Sequence, residues 1–134
     1  NAQEDSLRLQ WLGKGLAGVQ FDSRETFDFT RETNGDVFLV LNVRVDQAPK
    51  QPVALGMACG PQCLGEVRID SDLRALPAAA WKRLAVPLKC FGKAGADMSR
   101  ISTGFALRTA GAMDLAVSGV GLGVEWDRKA SCAQ

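Results

Sequence analysis

The feature that most constrains this sequence is a period of two, in which apolar residues alternate with polar or small ones over short segments. The alternation is clearest in Val37, Leu39, Leu41, Val43 and Val45, which share one side of an extended chain. Such a pattern is typical of strands with one face on a core. It predicts strands at residues 6–12, 36–45, 52–59, 65–70, 81–88, 101–109 and 113–126. Short strands in this number indicate a β-sandwich.

Residues that favour turns separate the predicted strands. They lie at Asn34-Gly35, Ala48-Pro49, Gly60-Pro61 and Ala110-Gly111. The one helix-compatible stretch, residues 72–81, contains Pro77 and is predicted to form a single short turn. A chain of 134 residues can bury one core but not two, so residues 1–134 are expected to form a single all-β domain.

Composition argues against several kinds of partner and chemistry. Sixteen basic and 15 acidic residues give a net charge of +1, so neither nucleic acid nor an anionic membrane is an expected partner. The sequence contains no His, which excludes Ser-His-Asp, Cys-His and His-based metal catalysis, and no cofactor is expected. The chain begins without Met, and we interpret it as a processed product or a part of a longer protein.

The four cysteines allow three interpretations. Cys59 and Cys63 flank a Gly-Pro turn, a spacing that fits half a zinc site, a redox pair or a disulfide. Zinc sites normally use two close pairs, whereas Cys90 and Cys132 are 42 positions apart. A redox pair favours the start of a helix, and this pair lies between predicted strands. We therefore predict a Cys59–Cys63 disulfide and a periplasmic or extracellular location, and leave the Cys90–Cys132 bridge open.

Three Trp residues are candidate platforms for a sugar, because the chain has no Tyr. Trp11 continues the apolar face of its strand, and Trp81 precedes another apolar face, so both are predicted to lie in the core. Trp126 lies near the chain end and is the remaining candidate for carbohydrate binding.

Alternating oxygen-bearing side chains form a weak candidate for a calcium site. Glu32, Asn34 and Asp36 could supply carboxylate and amide oxygens. Asn-Gly between two predicted strands also signals a hairpin turn, and we favour that interpretation over a metal. Asp70 and Asp72 have the spacing of ordinary loop charges.

Two strands carry small residues at alternate positions. One set is Gly119, Gly121 and Gly123, and the other is Ala54, Gly56 and Ala58. Glycine weakens a strand interior, so its repetition suggests a face that another backbone or domain approaches closely. The alternative is simple tolerance of small residues on a solvent-exposed face, and the sequence does not decide between the two.

A series of motifs resembles the C-terminal jelly-roll domain of bacterial family 3 glycoside hydrolases, the periplasmic β-glucosidases and exo-β-glucanases. The similarity runs from Asp5 to Leu122. The motifs, in order, are DxxxxxW from Asp5 to Trp11, RETNGD, RVDxAP, CxxxC, WxxLxVPLxCF and AGAD. This resemblance implies a galactose-binding-like jelly roll that is an accessory module, because the catalytic carboxylates of that family lie in its other domains.

The expected function follows from this resemblance. The chain is predicted to be a non-catalytic module that packs on the catalytic domains of its parent hydrolase and helps to shape or border the glucan site. One alternative is an autonomous β-glucan-binding module. Another, from a different class, is a small hydrolase that uses Asp and Glu. The expected partners are the catalytic domains of the parent hydrolase, and a β-glucan is a further candidate partner.

Overall fold

The computed structural model of the chain describes residues 7–13 and 15–132. These residues form nine strands and three short helices. The strands are β1 Leu7–Leu12, β2 Ala17–Phe27, β3 Phe38–Gln47, β4 Val53–Ala58, β5 Leu64–Arg68, β6 Trp81–Pro87, β7 Ile101–Thr109, β8 Ala112–Gly123 and β9 Arg128–Lys129. The helices are α1 Thr30–Asn34, α2 Asp70–Ala75 and α3 Leu88–Lys93. No described helix is long and apolar enough to cross a membrane.

Two sheets enclose the core, as the alternation predicts. One has five strands in the order β1-β8-β3-β6-β9, and the other has four in the order β2-β7-β4-β5. Strand neighbours run antiparallel except β6 and β9, which are parallel. Leu39, Leu41, Val43 and Val45 of β3 are all buried, which confirms the predicted inward face. Trp11 of β1 is buried in the same core, as predicted.

The structure contradicts the predicted core position of Trp81. In β6 the even-numbered residues Leu84 and Val86 face the core, so Trp81 falls on the opposite face. It is half-buried there, and the Arg44 guanidinium lies 5.3 Å from its ring centroid. The apolar indole is therefore covered by a cation on the outside of the sheet.

The predicted hairpin at the Asn-Gly pair is also wrong. Asn34 is the last residue of helix α1, and Gly35 has a φ of −94°. A primed turn requires positive φ at its central residues. In the structure the positive φ, 59°, falls on Asp36 instead. Just beyond the end of α1, the Gly35 amide donates to the Arg31 and Glu32 carbonyls, and the Val37 amide also donates to that of Glu32.

A nine-residue segment after β8, residues 124–132, passes from the end of that strand to the far side of β6, and we call it the C-terminal strap. Its Asp127 amide donates to the Arg83 carbonyl, and its Ala130 amide donates to the Ala85 carbonyl. Arg128 donates to the buried Asp72 carboxylate at 2.9 Å. The strand predicted for residues 113–126 is too long at its C-terminal end, because β8 ends at Gly123 and Trp126 lies in the strap.

Candidate functional site

Within residues 7–13 and 15–132, the outer half of β8, Gly119 to Gly123, has a strand neighbour on one side only. Strand β1 pairs with β8 from Ala112 to Val117, whereas Gly119 to Gly123 pair with β3 alone among the described residues. The side chains of Val120 and Leu122 alternate inward as predicted, yet they are 37% and 40% exposed. In the part of the chain that the structure describes, this stretch is therefore a sheet edge with exposed apolar side chains.

An apolar cleft of about 270 Å³ lies beneath this edge, between the two sheets. Its lining includes Phe21, Phe29, Phe105, Leu39, Val120 and Leu122. The rings of Phe21 and Phe105 stack at 5.4 Å, and Phe21 is half-exposed. These side chains carry neither N–H nor O–H groups, so the cleft suits apolar side chains better than a sugar.

The two predicted sets of small residues do not form one docking face. The glycines lie in β8 of the five-stranded sheet, and the second set lies in β4 of the four-stranded sheet. In a sandwich, the outer faces of the two sheets point in opposite directions. A Cβ at Gly119 or Gly121 would meet nothing within 4 Å, whereas one at Gly56 would meet the Leu64 and Glu66 side chains. Only the glycine set in β8 is openly accessible.

Trp126 lies in the C-terminal strap and is 41% exposed. Its ring is tilted 59° to that of Phe38 at a centroid distance of 6.4 Å. The Lys129 ammonium lies 5.9 Å from the Trp126 ring centroid. A sugar that stacked on this face of the indole would therefore compete with Lys129.

Two of the three calcium candidates, Asp36 and Glu32, form ion pairs with cationic side chains of the protein. The Lys89 ammonium lies 2.7 Å from the Asp36 carboxylate, and this hydrogen bond lowers the pKa of Asp36. Arg31 pairs with Glu32 at 3.3 Å, and Asn34 sits at the end of α1. Among residues 7–13 and 15–132, no three His, Cys, Asp or Glu side chains converge as metal ligands would.

Each of three buried aspartates is paired with an arginine. The sequence did not distinguish these carboxylates from surface charges. The pairs are Arg68–Asp70, Arg128–Asp72 and Arg8–Asp114. Hydrogen bonding from Arg68 holds the pKa of Asp70 down to about 2. A glycosidase acid needs a raised pKa to stay protonated near neutral pH, whereas the pKa values of Asp70 and Asp114 are lowered by their arginines, which suits them to structural ion pairs. Arginine spaced two residues from Asp70 was the available sequence signal.

All four cysteines are paired in the structure. Cys59 bonds to Cys63 and Cys90 bonds to Cys132, each with a Cα–Cα distance of 5.1 Å. The first bridge closes the turn between β4 and β5. The second joins helix α3 to the end of the C-terminal strap, and so holds Trp126 in a segment that is fixed at both ends.

The family comparison decides what kind of domain this is. The family model Exop_C, described as galactose-binding domain-like, matches residues 1–122. The chain belongs to this family. The match includes all of β1 to β7 and ends one residue before the last residue of β8, so the C-terminal strap lies beyond it. No curated protein matches the chain.

Solved structures share the fold at low identity. The extra C-terminal domain of exo-1,3/1,4-β-glucanase (ExoP) from a Pseudoalteromonas species has 22% identity and a TM-score of 0.67; the match covers 96% of this chain and 65% of that one. The whole glucanase gives 22% identity and a TM-score of 0.69, with 95% of this chain and 15% of that chain covered. PfGH50B gives 13% identity and a TM-score of 0.58, with 91% and 21% covered. The chain thus spans only part of these proteins.

Proposed function

We propose that this chain is a non-catalytic accessory module, a single domain over residues 1–134, in a family 3 β-glucosidase or exo-β-glucanase. It packs on the catalytic domains and helps to border the glucan site. Family membership and the place of the related domain within a much longer glucanase chain support the accessory role. The two disulfides support a periplasmic or extracellular location, because disulfides form and persist in oxidising compartments.

The observation that carries this proposal is the open edge of β8 above an apolar cleft. Val120 and Leu122 expose apolar side chains, and Phe21 lies across the cleft from them. Exposed apolar patches of this kind mark surfaces that another protein surface covers. Gly119 and Gly121 pair with β3 alone among the residues described, and a Cβ at either would meet nothing within 4 Å, which suits close approach by a second backbone.

The test is a matched pair of variants in the full parent enzyme. Leu122→Asp places a charge at the cleft, whereas Leu12→Asp places the same charge on an exposed leucine at the end of β1. We expect Leu122→Asp to release the domain from the catalytic part in limited proteolysis and to lower activity on polymeric glucan. We expect Leu12→Asp to behave as wild type. Equal behaviour of the two variants would contradict docking through β8.

A second candidate function is autonomous recognition of a β-glucan. The exposed Trp126 indole favours this function. The Lys129 ammonium over the indole ring argues against it, because a stacked sugar would have to displace the ammonium. Hydrolysis by the isolated chain is the remaining alternative. Measurable release of aryl alcohol from an aryl β-glucoside by the purified 134-residue chain, lost on mutation of one of its own carboxylates, would establish it in place of the accessory role.

A further inference from the structure

The outer face of the four-stranded sheet forms a trough along the strands. The register gives two successive rows of outward side chains, with small or short residues on the central strands and longer ones on the edge strands. The rows are Gln20-Ala106-Gly56-Glu66 and Asp22-Thr103-Ala58-Leu64. Two adjoining depressions of about 390 and 520 Å³ follow these rows, and both are lined by Gln20, Leu64 and Ala106.

Hydrogen bonds between neighbouring side chains hold the polar walls of this trough in place. On the β2 side, the Thr103 hydroxyl donates to Asp22 at 2.5 Å, and the Gln20 amide donates to both Asp22 oxygens at 3.0 Å. On the β5 side, Arg108 donates from Nε and Nη2 to the two oxygens of Glu66. The walls therefore present oriented oxygens and a guanidinium before any ligand arrives.

The chemistry of the trough selects a neutral, hydroxyl-rich ligand. Arg108 balances Glu66, so the lining has no excess positive charge with which to attract a phosphate or an anionic polysaccharide. Carboxylate and amide oxygens accept hydrogen bonds from sugar hydroxyls. The methyl groups of Ala58 and Ala106 and the exposed Leu64 side chain offer a shallow apolar floor and rim for the C–H face of a sugar ring.

We infer that this trough is a binding groove for a neutral gluco-oligosaccharide chain. The inference rests on the proposed function, because it assigns the glucan contact of the module to the four-stranded sheet. The docking edge belongs to β8 of the other sheet, so both surfaces can be used together. The described lining contains no aromatic side chain, and without stacking the groove binds sugar weakly when the module is alone.

The test is an amide NMR titration of the 134-residue chain with cellotetraose and, separately, laminaritetraose, to about 20 mM. We expect the largest shift changes at Gln20, Thr103 and Ala106 and their strand neighbours. Gln20→Ala removes one hydrogen-bonding wall and should weaken binding about three- to tenfold. The matched control is Gln10→Ala, which truncates an exposed glutamine on the outer face of the five-stranded sheet and should leave binding unchanged.

A second variant, Ala106→Leu, fills the floor of the trough and should abolish the shift changes, while the spectrum itself shows whether the fold is retained. Absence of shift changes with both sugars would overturn the groove, as would changes centred on Trp126 or binding unaffected by Gln20→Ala and Ala106→Leu. A null titration together with the expected effect of Leu122→Asp in the parent enzyme would remove the groove and leave the docking role standing.

Discussion

Both halves of β8 place alternate apolar side chains toward the core, but the inner half, Ala112 to Val117, is mostly buried and the outer half, Gly119 to Gly123, is mostly exposed. In the inner half, Met113, Leu115 and Val117 are buried because β1 covers one side of the strand and β3 the other. In the outer half, Val120 and Leu122 point the same way but lie at an edge. The register shifts between Asn42 and Val43 of β3, where the two halves meet. Side-chain direction is therefore local, whereas burial depends on which strand lies alongside.

This contrast separates the two tasks of the strand. The inner half contributes to the core, and its apolar area is already removed from water. The outer half keeps about two-fifths of the Leu122 side chain in water, which leaves hydrophobic free energy that only a partner can recover. The proposed docking role of the outer half rests on this exposure.

The largest expected effect compares Leu115→Ala with Leu122→Ala. Leu115 is 1% exposed, so its truncation should leave a cavity and lower the free energy of unfolding by about 4 kcal/mol. Leu122 already contacts water, and its truncation should cost about 1 kcal/mol or less. Urea denaturation of both variants measures the difference. Similar losses would show that the outer half belongs to the core after all.

The next effect concerns the C-terminal strap, which continues from the outer half. Cys90→Ser with Cys132→Ser removes the bridge across 42 positions and should lower stability by about 3 kcal/mol. Removal of the Cys59–Cys63 bridge, which closes a much shorter loop, should cost less. Peptide mapping before and after reduction checks both pairings in the wild-type protein.

Hydrogen exchange shows which part of the domain loses protection when the Cys90–Cys132 bridge is removed. After loss of the Cys90–Cys132 bridge, the amides of Asp127 and Ala130, which bond to β6, should exchange faster. The amides of Leu115 and Val117 in the inner half of β8 should stay protected. Loss of protection throughout β8 would mean that the two halves unfold as one unit and would contradict the comparison.

A smaller effect is the acid sensitivity of the inner half. Hydrogen bonding from Arg8 lowers the pKa of Asp114, so the unfolded chain binds this proton more readily than the folded one. The contribution of this ion pair to the free energy of unfolding is fully present above the pKa of Asp114 in the unfolded chain, about 4. It is lost as pH falls through the lower pKa of Asp114 in the folded protein. Asp114→Asn should cost about 1 kcal/mol at pH 7, because Arg8 is largely exposed, and less as pH falls toward 2. A pH-independent difference would contradict this assignment.

The sequence predicted the strands that have one buried face, because alternation records that face directly. It missed β2, where two register shifts against β7 break the alternation and almost every side chain is exposed. It also missed α3, whose residues Leu88, Cys90 and Phe91 are buried. Leu88 and Cys90 are two positions apart, so in the sequence they look like a continuation of the preceding strand. The Arg68–Asp70 pair is local in the chain, whereas the arginines that pair with Asp72 and Asp114 lie 56 and 106 positions away, and no local pattern reports such pairs.

The candidate surfaces, like the ion pairs of Asp72 and Asp114, depend on long-range pairing that a local sequence pattern does not report. The small residues of β4 and β8 were visible as a pattern, but their placement on opposite sheets depends on strand order. The trough depends further on the register of four strands, which brings Gln20 and Glu66 into one row although 46 positions separate them in the chain. Long-range pairing of this kind is set by the whole core, so a local pattern cannot specify it.

The smallest expected effect is that of Trp126→Ala on glucan binding by the isolated module. If the exposed end of β8 and the strap serve docking, Trp126 is not a sugar platform, and Lys129 already occupies one side of its ring. We expect isothermal titration with laminarin or cello-oligosaccharides to give a dissociation constant of about 1 mM or weaker for both wild type and Trp126→Ala. A micromolar signal that Trp126→Ala abolishes would instead identify the module as an autonomous glucan binder. The exposure beyond Val117 would then serve a ligand, and the contrast between the two halves of β8 would separate core from binding site.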